Sequence, residues 1–377
     1  MKLVYCIAGT YNSGGMERVL ANKANYWVNN GHEVVIVTTD QLGRKPFFFL
    51  DNRIDCYDLN VNYERNNGKS FLNKLFHYPF KWIAHRKKLS ILLNKLKADI
   101  VISMFCNDAS FITGIHDGSK KVLEIHFSRL KRLQYGRKGM WLLADSLRTW
   151  MDARTVGMFD QFVVLTHEDK KLWGNLSNIA VIPNAISSIP SEVASLEKKN
   201  VLAVGRYTHQ KGFDYLISAW SYVHSVQPEW MLNIIGEGEL EEQLQQQING
   251  THLQNVVHLV PSTNQIEKFY AQASILAMSS RYEGLPMVLL EGLSFGLPIV
   301  SFACKCGPLD IVSDGENGFL VPEGNIKKLS DKLILLMKND ELRKRMGEEA
   351  RKKVACFTEA NVMNAWTILF EKLLNNK

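Results

Sequence analysis

Two glutamates eight positions apart, Glu283 and Glu291, have the spacing that most clearly suggests chemistry. They flank the run Gly284-Leu-Pro-Met-Val288, whose proline suits the first turn of a helix and leaves the first backbone amides without partners. Amides at the start of a helix can bind a phosphate or a sugar hydroxyl. Glu291 lies within an apolar helical run, where a carboxylate needs a hydroxyl to donate to it. The pattern predicts a site for a polar ligand.

Two cations follow another strand-like run, in Gly205-Arg206-Tyr-Thr-His-Gln-Lys211-Gly212. Arginine binds a diphosphate as a fork and lysine as a point charge. Taken alone, such cations are more often solvated surface residues. The alternative is that they hold a diphosphate ligand.

The first half offers a glycine loop and a histidine. Gly14 and Gly15 follow the first apolar run and open a predicted helix, which allows an anion to approach the backbone closely. The spacing matches neither a dinucleotide fingerprint nor a Walker loop, so NAD and ATP are not supported, and a tight turn is the alternative. His126 ends a strand-like run, where a lone histidine is more often structural.

Short β-rich runs that alternate with helical patterns must position these residues, and this alternation predicts parallel sheets. Six runs precede a polar stretch that begins at Asn184, and five follow it. The expected runs are 2–8, 33–38, 100–104, 121–125, 161–165, 179–182, 200–204, 231–235, 256–260, 274–277 and 298–302. The predicted fold is α/β with two Rossmann-like, doubly wound domains at 1–190 and 191–357. A packing helix over 358–377 is expected to return to the first domain.

Composition limits the alternatives. A chain of 377 residues exceeds one usual hydrophobic core, which agrees with two domains. The N-terminal apolar run is too short for a secretory signal, and no run approaches the roughly 20 residues of a spanning helix. The six cysteines lack zinc-ligand spacing. We therefore expect a cytoplasmic protein without a structural metal.

The positive charge is concentrated in the first half. Residues 1–190 hold 26 Lys and Arg against 16 Asp and Glu, whereas residues 191–377 carry a net charge of −3. Two basic segments, 69–97 and 129–138, include interleaved or neighbouring aromatic residues. They suggest docking on an anionic membrane surface, at the inner face of the plasma membrane, and a solvated surface is the alternative. No nucleic-acid-binding pattern accompanies them, so nucleic acid is not expected as a partner.

Two motif matches are interpreted as accidental. Gly292-Leu-Ser294-Phe-Gly296 fits the nucleophile elbow of hydrolases, but Ser294 lies late in a predicted helix rather than after a strand. Gly236-Glu-Gly238 resembles a shortened dinucleotide fingerprint, but its acidic residues would repel phosphate. We interpret the second as a strand-to-helix turn.

The residues described above resemble the family 4 retaining glycosyltransferases over nearly the whole chain. The E-x7-E motif of that family matches Glu283 to Glu291, and its two-domain GT-B fold, with the domains facing across a cleft, agrees with the predicted architecture. Supporting motifs are Gly14-Gly15, Glu124-Ile-His126, Gly205-Arg206 with Lys211-Gly212, Gly236-Glu-Gly238, Gly307-Pro308-Leu-Asp310 and Gly315-Glu-Asn317-Gly318. Asp310 departs from the pattern, because many relatives have Glu there.

The resemblance implies roles for individual residues. Arg206 and Lys211 would hold the diphosphate, Glu291 the ribose hydroxyls, and Glu283 the donor sugar. Catalysis is assigned to His126 and Glu283. Donor binding is assigned to Gly15, Arg206, Lys211, Gly284, Leu285, Pro286, Met287, Val288 and Glu291, with the backbone of 284–288 as the contact.

The predicted reaction is transfer of a sugar, most simply from a UDP-sugar, to a glycan or a lipid-linked acceptor in surface polysaccharide or lipopolysaccharide synthesis. The nucleotide sugar is a co-substrate, and neither a cofactor nor a metal is expected, because the two cations can stabilise the leaving diphosphate. Two alternatives remain open, a UDP-sugar epimerase and a non-catalytic nucleotide-sugar-binding protein.

Overall fold

The computed structural model describes residues 1–66, 71–130, 140–186 and 189–375, with the backbone alone for 66, 71–76, 140–144, 147 and 148. The chain forms two compact units. The first unit comprises Met1–Val164, Lys170–Ile182 and Met363–Lys377, and the second unit comprises Leu165–Asp169 and Pro183–Val362.

The first unit is built on a parallel sheet. Its strands are β1 (Lys2–Ile7), β2 (Glu33–Thr38), β3 (Asp55–Asp58), β4 (Ile100–Ser103), β5 (Lys120–Glu124), β6 (Gln161–Val164) and β7 (Ile179–Val181). Their order across the sheet is β3-β2-β1-β4-β5-β6-β7. The helices are α1 (Gly15–Asn29), α2 (Phe71–Leu96), α3 (Met140–Val156) and α4 (His167–Trp173), of which α4 begins in the second unit.

The second unit is built on another parallel sheet. Its strands are β8 (Asn200–Val204), β9 (Met231–Ile235), β10 (Val257–Val260), β11 (Ile275–Met278), β12 (Ile299–Phe302) and β13 (Gly318–Val321), in the order β10-β9-β8-β11-β12-β13. The helices are α5 (Phe213–Val226), α6 (Glu241–Gly250), α7 (Ile266–Ala271), α8 (Met287–Ser294), α9 (Pro308–Ile311), α10 (Ile326–Lys338), α11 (Asp340–Val354) and α12 (Glu359–Asn375), which continues into the first unit.

Helices cover both faces of the second sheet, as the side-chain alternation of β8 shows. Val201 packs into a buried cluster with Trp220 of α5, whereas the next residue, Leu202, packs into another cluster with Leu289 of α8. Successive side chains of a strand point to opposite faces, so both faces of β8 are buried. This burial on both faces explains the continuous apolar runs in the sequence.

The predicted α/β class with two parallel sheets is confirmed, and the ends of the predicted strands are within one residue of those observed. Two strands were not predicted, and each lies at a sheet edge. β3 pairs only with β2 and has the polar sequence Asp-Cys-Tyr-Asp. β13 begins at Gly318, where a Cβ would overlap the carbonyl oxygen of Ile299. β3 has a polar sequence, so hydrophobic pattern does not reveal it, whereas β13 is a short apolar run, Gly318-Phe-Leu-Val321, that was not predicted as a strand.

The basic segment 69–97 is mostly helix α2. Two of its lysines bind backbone carbonyls of the neighbouring loop: Lys81 donates to Asn62 and Lys88 to Leu59. In the segment 129–138, Arg129 donates to the carbonyl of Leu172. Lys81 and Lys88 therefore stabilise a loop, and Arg129 binds the last turn of α4. Lys69, Lys131, Arg132, Arg137 and Lys138 lie outside the described residues, as does the side chain of Lys74.

Candidate functional site

The strand order of the second sheet reverses between β8 and β11, and this point holds a predicted cation and a predicted carboxylate. Ligands of open α/β sheets bind beyond the carboxyl ends of the strands at such a reversal. Lys211 follows β8 and Glu283 follows β11, and Lys211 Nζ lies 2.8 Å from Glu283 Oε1. Both side chains are mostly buried, so water screens their attraction weakly.

Two further residues hold the carboxylate of Glu283. Ser280 Oγ donates to Oε1 at 2.7 Å, and Gln210 Nε2 lies 3.5 Å from Oε2. Oε1 therefore accepts two short hydrogen bonds, whereas Oε2 keeps capacity to accept one from a ligand hydroxyl. The sequence analysis did not identify Ser280 or Gln210. Their positions next to Glu283 and Lys211 along the chain are the signal that could have indicated them.

The loops that carry Lys211 and Glu283 are fixed to each other. Gly212 has a φ of 62°, and a Cβ there would overlap the carbonyl oxygen of Ser279. Arg281 donates to both oxygens of Asp214, at 2.9 and 2.6 Å, and lies over the ring of Tyr215. The hydrogen-bonded Asp214 carboxylate raises the pKa of Arg281. Bidentate pairs of this kind fix orientation as well as distance.

Arg206 is placed differently from Lys211. The aliphatic stem of Lys211 runs against Gly205, with its Cε 3.1 Å from the point that a Cβ would occupy. Arg206 is exposed, and its guanidinium has no hydrogen-bond or ion-pair partner among the described residues. One cation is thus held beside the carboxylate, and the other remains available to an anion.

The start of α8 has backbone amides without a side-chain cap, as the sequence predicted. Pro286 is the residue before the helix, and no side chain caps the amides that follow it. Leu285 is buried in a hydrophobic cluster, and the partly buried side chains of Met287 and Val288 pack against it, while the backbone amides of the helix start stay without a side-chain cap. A Cβ at Gly307 would overlap the ring of Pro286, which places the loop after β12 against this segment.

Glu291 receives the hydroxyl donor that its apolar surroundings require. Tyr270 donates its hydroxyl to Glu291 Oε2 at 2.7 Å, and the Tyr270 ring stacks on Phe295 at 5.3 Å. Tyr270 comes from α7, 21 residues before Glu291, and no sequence pattern links the two. Asp310, the departure from the family pattern, accepts from the backbone amide of His167 at 2.7 Å, at the start of α4.

Gly15 and His126 belong to the first unit. Gly15 is the first residue of α1 and is exposed, and no atom lies within 4 Å of the point that its Cβ would occupy. Beside it, the carboxylate of Glu17 folds back over Gly14. A carboxylate in the first turn of a helix interacts favourably with the helix dipole. A Cβ at Gly14 would displace only the end of the flexible Glu17 side chain, and the space at Gly15 is open.

His126 follows β5 and lies beside a buried ion pair that the sequence did not indicate. Lys23 Nζ lies 2.7 Å from Glu124 Oε2, and His126 Nε2 lies 3.2 Å from Glu124 Oε1. Burial alone would raise the pKa of Glu124, but the charge of Lys23 and the neighbouring His126 outweigh it and lower the pKa to about 2. Neither ring nitrogen of His126 has hydrogen-bond geometry with a described residue, although the Nε2 distance is short.

The two accidental motif matches lie where the sequence predicted, Ser294 late in a helix and Gly236 to Gly238 between a strand and a helix. Ser294 is the last residue of α8, is buried, and donates to the carbonyl of Glu291, so it is not a nucleophile elbow. Gly236 and Gly238 connect β9 to α6, and a Cβ at either would overlap the backbone of Gly205 or Tyr207. Their role is close packing of neighbouring loops.

The described part of the chain contains neither a candidate metal cluster nor a candidate membrane span. No group of three or more His, Cys, Asp or Glu side chains is arranged to hold a metal ion. Within the same residues, no helix combines the length and the apolar character that crossing a bilayer requires.

Comparison with known proteins gives matches along both halves of the chain. Residues 13–188 match the family described as Glycosyltransferase Family 4, and residues 187–353 match Glycosyl transferases group 1. An uncharacterized glycosyltransferase of Haemophilus influenzae is 32% identical over 97% of this chain and 98% of its own length. The amylovoran biosynthesis glycosyltransferase AmsD of Erwinia amylovora is 28% identical over 97% of this chain and 98% of its own.

Solved structures share the fold. A TarM mutant of S. aureus, in complex with fondaparinux, alpha-GlcNAc-glycerol and UDP, has a TM-score of 0.74 and 17% sequence identity. The match covers 98% of this chain and 99% of that one. The likeness agrees with the GT-B fold that the sequence predicted.

Proposed function

This chain belongs to the family 4 glycosyltransferases, and we propose that it transfers a sugar from a UDP-sugar to a glycan or lipid-linked acceptor in bacterial surface polysaccharide synthesis. The observation that carries the proposal is the contact between Lys211 and Glu283 at the strand reversal of the second sheet. A cation and a hydroxyl acceptor held together are what a sugar phosphate requires.

The donor contacts follow from the charges and hydrogen bonds of the second unit. Arg206 provides an unpaired guanidinium for the diphosphate, and Lys211 has two N–H groups beyond the one directed at Glu283. Oε2 of Glu283 accepts from a sugar hydroxyl, and the uncapped amides of α8 face a phosphate oxygen. Glu291 accepts from the ribose hydroxyls while it keeps or exchanges the hydrogen bond from Tyr270.

Bond cleavage places negative charge on the departing diphosphate, and fixed cations lower the energy of that state. We propose that Arg206, Lys211 and the start of α8 supply this stabilisation without a metal ion. Retention of the anomeric configuration follows when the leaving phosphate assists the acceptor hydroxyl on the same face of the sugar. The proposal assigns no protein nucleophile, and His126 contacts a hydroxyl of the donor sugar.

The comparisons support the substrate class. The name of AmsD places that relative in the biosynthesis of amylovoran, and the S. aureus TarM mutant was solved with UDP. Both chains are covered almost completely by the match with this protein. We propose the same classes of donor and acceptor here.

The first test is calorimetric titration of the protein with UDP, GDP and ADP, with and without Mg²⁺. We expect micromolar binding of UDP that does not depend on the metal. Arg206→Ala should weaken it by roughly 10- to 100-fold, the effect of losing a hydrogen bond to a charged group. Arg345→Ala, which removes an exposed arginine of α11, is the matched control. Failure of all three nucleotides to bind would refute the donor proposal.

We also propose that the outer face of α2 docks on an anionic membrane. Phe80, Ile83 and Ile91 are 62%, 58% and 63% exposed, and Lys87 and Lys95 lie on the same face by helical spacing. An apolar stripe flanked by cations is typical of interfacial helices, and each cation near anionic headgroups contributes about 1 kcal/mol. The acceptor would then be lipid-linked.

Flotation with vesicles tests the docking. We expect binding to phosphatidylcholine vesicles that contain phosphatidylglycerol, little binding to phosphatidylcholine alone, and loss of binding in the double variant Ile83→Asp, Lys87→Glu. The control is Leu335→Asp, Lys328→Glu, which makes the same changes on the exposed face of α10. Equal flotation with both lipids, or equal losses in both variants, would contradict this proposal.

A further inference from the structure

The ion pair of Lys23 and Glu124 is buried inside the first unit. Lys23 is 6% exposed and Glu124 1% exposed. The ammonium of Lys23 lies 3.6 Å from the centre of the Trp366 ring of α12 and 5.7 Å from that of Tyr5 in β1. Beside them, Trp27 of α1 packs against the same C-terminal helix. Three elements of the first unit therefore converge on one lysine.

Stability alone does not explain this pair. Removing two charges from water is expensive, and replacing a buried ion pair by apolar residues is often neutral or stabilising. Burial lowers the pKa of Lys23, against the attraction of Glu124, so the ammonium is held at an energetic disadvantage. Because a buried ion pair is by itself weak evidence for stability, this pair can serve another purpose.

The geometry of Glu124 indicates that purpose. Its carboxylate has two oxygens with different neighbours: Oε2 accepts from Lys23 at 2.7 Å, and Oε1 lies 3.2 Å from His126 Nε2. A carboxylate beside one ring nitrogen favours the proton on that nitrogen and sets the role of the other. Both ring nitrogens of His126 are buried and lack hydrogen-bond geometry with a described residue; Nε2 lies near the Glu124 carboxylate, whereas Nδ1 has no ion-pair partner among the described residues.

We propose that Lys23 is a positioning residue, which anchors one oxygen of Glu124 so that the other keeps the proton of His126 on Nε2. His126 Nδ1 is then left as a hydrogen-bond acceptor for a hydroxyl of the donor sugar. This last step rests on the proposed function, whereas the effect of Lys23 on the imidazole does not. No proton moves in this arrangement, so His126 acts by orienting the sugar.

The test uses ¹⁵N-histidine-labelled protein without substrate, at a pH at which the imidazoles are neutral. Two-bond ¹H–¹⁵N spectra distinguish the tautomers, and His126→Gln identifies the His126 signals among those of the ten histidines. We expect the Nε2–H tautomer in the wild type. Lys23→Met and the isosteric Glu124→Gln should each shift both ¹⁵N signals towards those of a mixture of tautomers.

A matched control exists in the same strand. Lys121 is also buried in β5 and pairs with Asp117, so Lys121→Met removes an equivalent buried cation at the opposite end of the strand. It should leave the His126 tautomer and kcat unchanged. Lys23→Met should lower kcat by about tenfold or more, because a mispositioned group loses its transition-state contact.

Three results would overturn the assignment: a wild-type His126 without the Nε2–H preference, an unchanged tautomer in both Lys23→Met and Glu124→Gln, or an equal change in Lys121→Met. Glu124→Gln preserves the shape of the side chain but removes its charge and replaces one acceptor oxygen with an NH2 donor, so it remains informative if Lys23→Met does not fold. A correct tautomer combined with full turnover by His126→Gln would refute the catalytic role of His126 and leave the positioning role intact.

Discussion

At the scale of single residues, the pairing of Lys211 with Glu283 decides how a donor can bind. The two side chains neutralise each other at 2.8 Å, so an arriving diphosphate meets only part of the lysine charge. Arg206, which has no such partner among the described residues, must then provide much of the attraction. Guanidinium also matches phosphate oxygens in a bidentate geometry that ammonium does not offer. Under the proposed function, we therefore expect nucleotide affinity to depend more on Arg206 than on Lys211.

We expect the substitution Gly15→Ala to change stability and activity in opposite directions. Gly15→Ala meets no atom within 4 Å and lies in a helix, so it should raise the free energy of unfolding slightly, by about 0.5 kcal/mol. If the donor approaches the backbone there, the added methyl group should lower kcat/KM by tenfold or more. Urea denaturation and initial rates measure the two effects, and unchanged rates would remove Gly15 from the site.

At the scale of secondary-structure elements, the site depends on how closely the loops after β8 and β11 approach each other. Gly212 has a left-handed conformation and touches the backbone of Ser279, and the Arg281–Asp214 pair joins the same two loops. The same two loops lead into the helices that begin at Phe213 and Met287. Small backbone shifts here would separate Lys211 from Glu283.

Gly212→Ala tests this dependence. The substitution adds both a strained φ and an overlap with the Ser279 carbonyl, so it should destabilise the second unit by about 2 to 4 kcal/mol. UDP binding should weaken in proportion to the loss of the ordered loops. Gly250→Ala, at the end of α6 where a Cβ meets no neighbour, is the control. Thermal unfolding and calorimetry provide the measurements, and normal values for both would contradict the argument.

At the scale of the whole molecule, charge is divided between the two halves of the chain. The first half carries the positive surplus, and residues 191–377 carry the slight negative one. Net charge affects long-range attraction to membranes and solubility, but not the fold. Stability as a function of pH depends instead on a few buried groups with shifted pKa values.

Asp108 is such a group, in the turn after β4. It is 2% exposed, its Oδ2 has no partner among the described residues, and burial raises its pKa to about 6. The native state then holds a proton that the unfolded chain releases near its ordinary value. Stability is therefore present at low pH and is lost as the pH rises from about 4 through 6, by about 3 kcal/mol.

Asp108→Asn should remove this loss. We expect the variant to gain stability relative to the wild type at neutral pH and to lose the advantage near pH 4, where the wild-type carboxyl is protonated. Urea unfolding across that range measures the difference, and Asp55→Asn on the exposed edge strand β3 serves as control. A difference that does not change with pH would show that the Asp108 carboxyl is not shifted in this way.

The sequence by itself determined the fold class and the family, and it predicted the residues of the proposed donor site. Strands buried on both faces are apolar throughout, so their runs are visible without coordinates. Lys211 and Glu283 each follow such a run, and parallel strands bring their carboxyl ends to one edge. Local pattern was therefore sufficient to place these residues in one region.

Tertiary structure decided the contacts between side chains that are distant along the chain. Tyr270 supports Glu291 across 21 positions, and Lys23 supports Glu124 across 101 positions. Neither pair leaves a periodic signal, because the partners come from different elements and only their packing brings them together. The same reason explains the lysines of α2 that bind backbone carbonyls, since a cation in the sequence does not show whether a carbonyl or water lies beside it.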